Sequence, residues 1–208
     1  MNAFVLAGGQ STRMGRDKAL LEFRGRPLVD HAIQKLRALG FSPRIAGTRP
    51  DLSTYAPVIP DNYPGSGPLA GIEAALSASD SSLNFFLPID LPLLPLDFLR
   101  WLVARAGETS ALGTIPFLED RPQPLCAVYH RDLLPYAQSA LAVGDRKVMR
   151  VIGNAAVTSG SKLDRFNVET VAASIDISAA LPPYRWFQNF NTPADLLNAA
   201  LEESPYIQ

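Results

Sequence analysis

Leu6-Ala7-Gly8-Gly9-Gln10-Ser11-Thr12-Arg13-Met14-Gly15-Arg16-Asp17-Lys18 sets the frame for the rest of the chain. It follows the apolar run Ala3-Phe4-Val5-Leu6, which predicts a buried strand. Side chains then all but vanish at Ala7, Gly8 and Gly9, a composition that leaves backbone N–H groups open to a closely approaching ligand. Ser11, Thr12, Arg13 and Lys18 add hydroxyl groups and permanent cations. Oriented N–H groups and cations together suit the anionic oxygens of a polyphosphate. A Gly-Gly pair after a strand is by itself only a tight turn, and loop cations are commonly solvated. Here thirteen consecutive positions agree. The stretch contains neither the G-x-x-x-x-G-K-[ST] P-loop nor the G-x-G-x-x-G dinucleotide fingerprint.

The stretch resembles the signature L-A-[GA]-G-x-[ST]-x-R-[MF]-G-x-x-K of sugar-phosphate-type nucleotidyltransferases. With Gly8-Gly9 and Asp17-Lys18 it is most similar to the molybdenum cofactor guanylyltransferase family, which joins GMP from GTP to molybdopterin. The resemblance implies that Leu6, Ala7, Gly8, Gly9 and Ser11 bind the nucleotide, and that Arg13 and Lys18 are catalytic cations on its phosphates.

Composition agrees with a globular chain. The 208 residues are 47% hydrophobic and 19% charged, enough for one domain with a substantial core, so a single domain over 1–208 is expected. A net charge of −1 supplies no global basic field for nucleic acid, and no apolar run is long enough to span a bilayer. Cys126 stands alone, so an intramolecular disulfide is excluded and a reducing, cytoplasmic setting is expected. Met1-Asn2 runs directly into the first strand, so no targeting segment is expected.

Periodicity predicts helices over Pro27–Leu39, Leu69–Ala78, Pro95–Ala106 and Leu133–Leu141. Strands are predicted at Arg44–Gly47, Pro57–Ile59, Leu83–Leu87, Ser110–Thr114, Leu125–Tyr129 and Leu163–Phe166. Gly144–Lys147 reads as a loop running into a helix through Val151, and Ser159–Pro183 carries little other pattern. Near the end, Thr192 as N-cap, Pro193 at the first helical position and Asp195 predict a last helix that buries Leu196, Leu197, Ala200 and Leu201. Alternating strands and helices point to an α/β protein. The expected fold class is a Rossmann-like three-layer sandwich with a mostly parallel central sheet, of nucleotidyltransferase type. In such sheets ligands lie beyond the carboxyl ends of the strands.

Leu87-Pro88-Ile89-Asp90-Leu91-Pro92 puts a carboxylate just past the strongest strand. Such an Asp can simply cap the next helix. The apolar surround makes a merely structural charge costly to desolvate, whereas Mg²⁺ is commonly held by one or two carboxylates plus phosphates. The family's Asp-x-Pro, whose Asp holds magnesium, matches Asp90, so the resemblance makes Asp90 catalytic, nucleotide-binding and the metal ligand, with Mg²⁺ as cofactor. The Gly- and Pro-rich run Ile59–Gly71 opens a helix and resembles the family's G-P-L-A-G motif, preceded by an Asp that matches Asp61. This implies that Asp61, Gly67, Pro68, Leu69 and Gly71 wrap base and sugar; the plainer reading is a long connection with a neat helix start. Asn189-Phe190-Asn191-Thr192-Pro193 resembles N-[IV]-N-T-P. Its two amides either line the site, near the pterin phosphate or metal, or help cap the last helix.

Arg121–Cys126 and Gly144–Lys147 resemble acceptor-side segments, so Arg146 and Lys147 either meet a molybdopterin phosphate or are solvated. His31, His130 and Cys126 carry no motif, and no Cys/His set has zinc-ligand spacing. Where family members often place a base-reading Asn, this chain has Ala46, Gly47 and Thr48. The resemblance implies GTP and molybdopterin as substrates, and transient contact with other cofactor-biosynthesis proteins or acceptor molybdoenzymes. Gly9 leaves room for a purine, and the turn from Gly67 to Gly71 offers backbone groups to a guanine edge. The rivals are a cytidylyltransferase acting on molybdopterin or another phosphorylated acceptor, and a nucleotide-binding regulator without turnover. A regulator has no need of Asp90.

Overall fold

The computed structural model describes residues 1–7, 17–175, 181–190 and 195. The chain enters β1 (Asn2–Leu6), makes a 3₁₀ turn at Lys18–Leu20 and a small hairpin of β2 (Glu22–Phe23) and β3 (Arg26–Pro27), and continues into α1 (Leu28–Ala38). There follow β4 (Arg44–Ala46), β5 (Val58–Ile59), α2 (Pro68–Ser77), β6 (Leu83–Pro88), α3 (Leu96–Glu108), β7 (Gly113–Leu118), β8 (Arg121–Pro122) and β9 (Ala127–His130). The last described elements are α4 (Leu134–Ala142), α5 (Val148–Ser159), β10 (Leu163–Asn167), α6 (Val168–Ser174) and α7 (Pro183–Trp186). No helix among the described residues is long and apolar enough to cross a membrane.

The main sheet runs β10-β7-β9-β6-β1-β4-β5, with β8 paired to β7 outside this path. β1 is parallel to both β4 and β6, pairing Val5 with Ile45 and with Leu87. β9 runs against β6 and β7, so the sheet is mostly parallel with an antiparallel insertion. Alternation along β1 shows the three layers directly. Ala3 and Val5 join the cluster built with Leu28, Ile33 and Leu36 of α1 and Phe98 and Leu102 of α3, whereas Phe4 and Leu6 join Ile72 and Leu76 of α2 and Ile152 and Ala155 of α5. The α/β sandwich expected from the sequence is the one observed.

Several local expectations change. β7 continues to Leu118 instead of ending near Thr114, because Pro116 lacks only a donor and its carbonyl accepts from Gln123 N at 2.9 Å. Pro27 is in β3 and precedes the first helix, which starts at Leu28. The β2–β3 hairpin, unpredicted, turns at Arg24 and Gly25, both with positive φ. The loop at Gly144–Lys147 leads into α5, which runs on to Ser159. The weakly patterned stretch holds α6, whose cap Asn167 accepts from Thr170 N at 2.9 Å, and α7. Thr192, Pro193 and the apolar face from Leu196 to Leu201 lie outside the described residues.

Candidate functional site

Because β1, β4 and β6 are parallel, they deliver Leu6, Ala46 and Pro88 to one edge of the sheet. There a cleft of about 180 Å³ is lined by Leu6, Lys18, Ala46, Gly67, Pro68, Gly71, Pro88, Ile89, Asp90 and Leu125. Lys18 Nζ donates to Asp90 Oδ2 at 2.6 Å, with their side chains 17% and 21% exposed. The two charged residues singled out from separate motifs thus meet in one place. Lys18 is held at the start of the 3₁₀ turn, where Asp17 accepts from Ala19 N at 3.0 Å.

The opposite wall is the start of α2. Gly67 caps it with φ 73°, a conformation glycine adopts without a Cβ clash, and Pro68 occupies the first turn, where a missing N–H costs no helix bond. At Gly71 an added Cβ would lie 3.3 Å from Leu6 Cδ2, 3.7 Å from Ala46 O and 3.8 Å from Asp61 Oδ1. That close approach seats α2 on β1 and β4 and brings Asp61 beside the cleft. Asp61 N donates to Thr48 Oγ1 at 3.2 Å, and among the described residues its buried Oδ1 has no hydrogen-bond partner. Burial holds the Asp61 carboxyl above its ordinary value; the Thr48 backbone opposes this and the Glu73 charge adds to it. Buried Glu73 ties the loop to α4, accepting from Asn62 Nδ2 and Gln138 Nε2, both at 3.0 Å.

Not every expected residue faces the cleft. The Ala7 amide is engaged in the sheet, donating to Ala46 O at 3.2 Å, because Ala7 extends the β1–β4 ladder by one bond. Leu69 is fully buried and packs with Ala137, Leu141 and Val151, since it falls on the face of α2 turned toward α4 and α5. Phe190 is buried, stacks on Phe23 with ring centroids 5.6 Å apart, and donates its amide to Asp90 O at 3.1 Å. This bond draws the segment carrying exposed Asn189 to the Asp90 backbone. Gly8, Gly9, Ser11, Thr12, Arg13 and Asn191 lie outside the described residues. Arg146 Nη1 donates to Gly65 O at 3.2 Å, joining the α4–α5 loop to the loop before α2.

Ala46, at the position of the base-reading Asn, and Leu125, from the Arg121–Cys126 segment, both line the cleft, as do Pro88 and Ile89, which carry no chemical signal of their own. Lys35 carries no motif, yet its ammonium donates to Leu94 O and fastens the segment after Asp90. Burial lowers that amine from 10.5 to about 8, with the Arg24 charge adding to the shift.

Asp90 is suited to a metal shared with substrate. Lys18 takes Oδ2, and among the described residues no hydrogen bond to Oδ1 is found. The described residues contain no cluster of three or more His, Cys, Asp or Glu that could cage an ion alone. One carboxylate completed by phosphate oxygens is how Mg²⁺ is commonly bound.

An α/β sheet presenting an ammonium, a carboxylate and a helix N-terminus at the carboxyl ends of its parallel strands is built as nucleotidyltransferases are. Residues 3–159 match the MobA-like NTP transferase domain, and the chain belongs to that family. It is 35% identical over 212 residues to a probable molybdenum cofactor guanylyltransferase of Deinococcus radiodurans, covering 98% of this chain and 97% of that protein. It is 32% identical to the molybdenum cofactor guanylyltransferase of Vibrio atlanticus, over 92% of this chain and 91% of the other. Among solved structures, molybdopterin-guanine dinucleotide biosynthesis protein A from Archaeoglobus fulgidus superposes with a TM-score of 0.77 at 25% identity, covering 99% of this chain and 100% of that one.

Proposed function

We propose that this chain transfers GMP from GTP to the phosphate of molybdopterin, forming molybdopterin guanine dinucleotide and releasing pyrophosphate. The observation that carries the reading is the Lys18–Asp90 pair in a cleft walled by the N-terminus of α2. It joins the two groups that a polyphosphate and its divalent counter-ion require. The near full-length likeness to guanylyltransferases supports the choice of donor and acceptor.

In this reading Lys18 and Arg13 bind the nucleotide phosphates, together with the amides of the Gly8–Gly9 segment and the Ser11 hydroxyl. Asp90 holds Mg²⁺, which when bound neutralises phosphate charge. The orphaned Oδ1 of Asp61 takes a donor from base or ribose, since a buried carboxylate oxygen without a partner carries a desolvation cost that a ligand N–H or O–H removes. Asn189 and Asn191 face the acceptor phosphate or metal, with Arg146 and Lys147 on the acceptor side. An oxygen of the molybdopterin phosphate attacks the α-phosphorus in line. The bond from that phosphorus to the oxygen bridging to the β-phosphate breaks, and pyrophosphate leaves with the electron pair. The nucleophile is already an anion, so the protein's part is alignment and charge neutralisation and no general base is needed. The same proposal includes one domain over 1–208, a cytoplasmic setting, and delivery of the product to other cofactor-biosynthesis proteins or acceptor molybdoenzymes.

The test is incubation of the protein with Mg²⁺, molybdopterin and GTP, CTP or ATP in turn, with the product identified by mass. Guanine dinucleotide with GTP, and kcat/KM at least tenfold lower with CTP, is expected. Equal or better use of CTP makes the chain a cytidylyltransferase, and binding without product in any arm makes it a regulator.

A further inference from the structure

We infer that Arg49 is a positioning residue for Lys18, acting through Asp17. The inference rests on the role proposed above for Lys18. Arg49 lies beyond β4, outside the cleft lining, and is 3% exposed. Its guanidinium faces two carboxylates at once. Nη1 donates to Asp17 Oδ1 at 3.2 Å and Nη2 to Asp17 Oδ2, while Nε and Nη2 donate to Asp51 at 3.0 and 2.6 Å. Asp51 is local, two residues along the same loop; Asp17 is 32 residues away and adjoins Lys18.

That adjacency gives the clamp its direction. Asp17 is fastened to Arg49 through its side chain and caps the Lys18–Leu20 turn through the same Oδ1, while its carbonyl accepts from Leu20 N at 3.1 Å. Arg49 is itself fixed, its amide donating to Gly47 O at 2.8 Å. The path from the sheet to the ammonium therefore runs β4, Arg49, Asp17, Lys18. A two-oxygen fork fixes orientation as well as distance, which a single ammonium at position 49 cannot do. Long side chains reach their targets only as accurately as their backbones are held, and losing such support commonly costs about 10–100-fold in activity. Asp51 shares the guanidinium but does not adjoin Lys18 in the chain as Asp17 does, which makes it the internal control.

The experiment measures kcat, GTP KM and unfolding midpoint for Arg49→Met, Arg49→Lys, Asp17→Asn and Asp51→Asn, and for Arg49→Met and Asp17→Asn in a Lys18→Ala background. Arg49→Met is expected to lower kcat about tenfold or more, with Arg49→Lys recovering little of it. In the Lys18→Ala background the same change is expected to cost less than twofold, because the group being positioned is gone. Asp51→Asn is expected to keep kcat within about threefold. If Arg49→Met does not fold, Asp17→Asn, which retains the cap and leaves Arg49 paired with Asp51, decides by the same comparison. Unchanged kcat in a folded variant, or an equal fold-loss with and without Lys18, overturns the inference and leaves a stability role. Normal turnover in Lys18→Ala alone strikes instead at the nucleotidyl-transfer reading, a separate and visible outcome.

Discussion

Lys18 Nζ and Asp90 Oδ2 stand 2.6 Å apart although 72 residues separate them in the chain. Each is the other's counter-ion in a cleft mostly screened from water. In the function proposed above, Lys18 exchanges this carboxylate for phosphate oxygens when a nucleotide and its cation enter. On that proposal the pair holds opposite charges ready for phosphate and metal, and each can be tested separately.

Removing the ammonium is predicted to affect rate far more than fold. Lys18→Ala should lower turnover by about two to three orders of magnitude, the scale of a lost transition-state charge contact. The pair remains partly exposed, so the stability change is expected to be about 1 kcal/mol. Circular dichroism and urea unfolding check the second statement. Near-normal turnover in a folded variant removes Lys18 from the phosphate site.

Asp90→Asn keeps the shape of the side chain and removes its charge. Turnover should collapse by at least about a hundredfold, with excess Mg²⁺ restoring only part of it. Calorimetric titration of Mg²⁺ in the presence of GTP should show weaker binding than in the unaltered protein. Equal affinity in the two would refute Asp90 as the ligand.

Gly71 is predicted to set how far the cleft opens. A methyl group there meets Leu6 Cδ2 at 3.3 Å, so Leu6 must yield by a few tenths of an ångström, and both residues line the cleft. Gly71→Ala should raise the GTP KM about tenfold, a methyl-sized effect, with a smaller change in kcat. An unaltered KM shows that the nucleotide does not lie against α2.

Stability should rise between pH 8 and 9 because of Lys35. Its folded-state value of about 8 lies below the ordinary 10.5, so in this range the unfolded chain holds a proton the native protein has shed. Raising the pH then favours the native state by up to about 1 kcal/mol per unit. Burial pushes the Cys126 thiol the opposite way, upward from 9.0, so above pH 9 its contribution falls with pH and offsets the gain. Urea midpoints at pH 7, 8 and 9 should show the rise in the unaltered protein and a flatter profile in Lys35→Met. Identical profiles would mean that Lys35 does not titrate there.

The parts of the site readable in the sequence are those whose chemistry is local. Lys18 follows a run of small residues, Asp90 stands just past a strongly apolar strand, and Gly67-Pro68 announces a helix start. Leu125 was readable only through the resemblance of Arg121–Cys126 to an acceptor-side segment, because it reaches the cleft through the antiparallel insertion of β9 beside β6. Ala7 and Leu69 looked like site residues from the motifs around them, yet the sheet claims the amide of one and the α4–α5 layer the side chain of the other. Arg49 reads as an ordinary loop cation until Asp17 is known to lie opposite. In the weakly patterned stretch the signals are local: Asn167 and Thr170 stand at capping spacing at the start of α6, and Pro183 opens α7.

The pairing of β1 with β6 has a consequence for synthesis. Ala3-Phe4-Val5-Leu6 is translated well before its partner Phe85-Phe86-Leu87, which follows only after α1, β4, β5 and α2. Until then one edge of a fully apolar strand has no native neighbour, and such edges pair readily with other chains. A nascent chain stalled before Leu83 should therefore be a chaperone client and prone to aggregate, whereas one extended past Pro88 has closed the centre of its sheet.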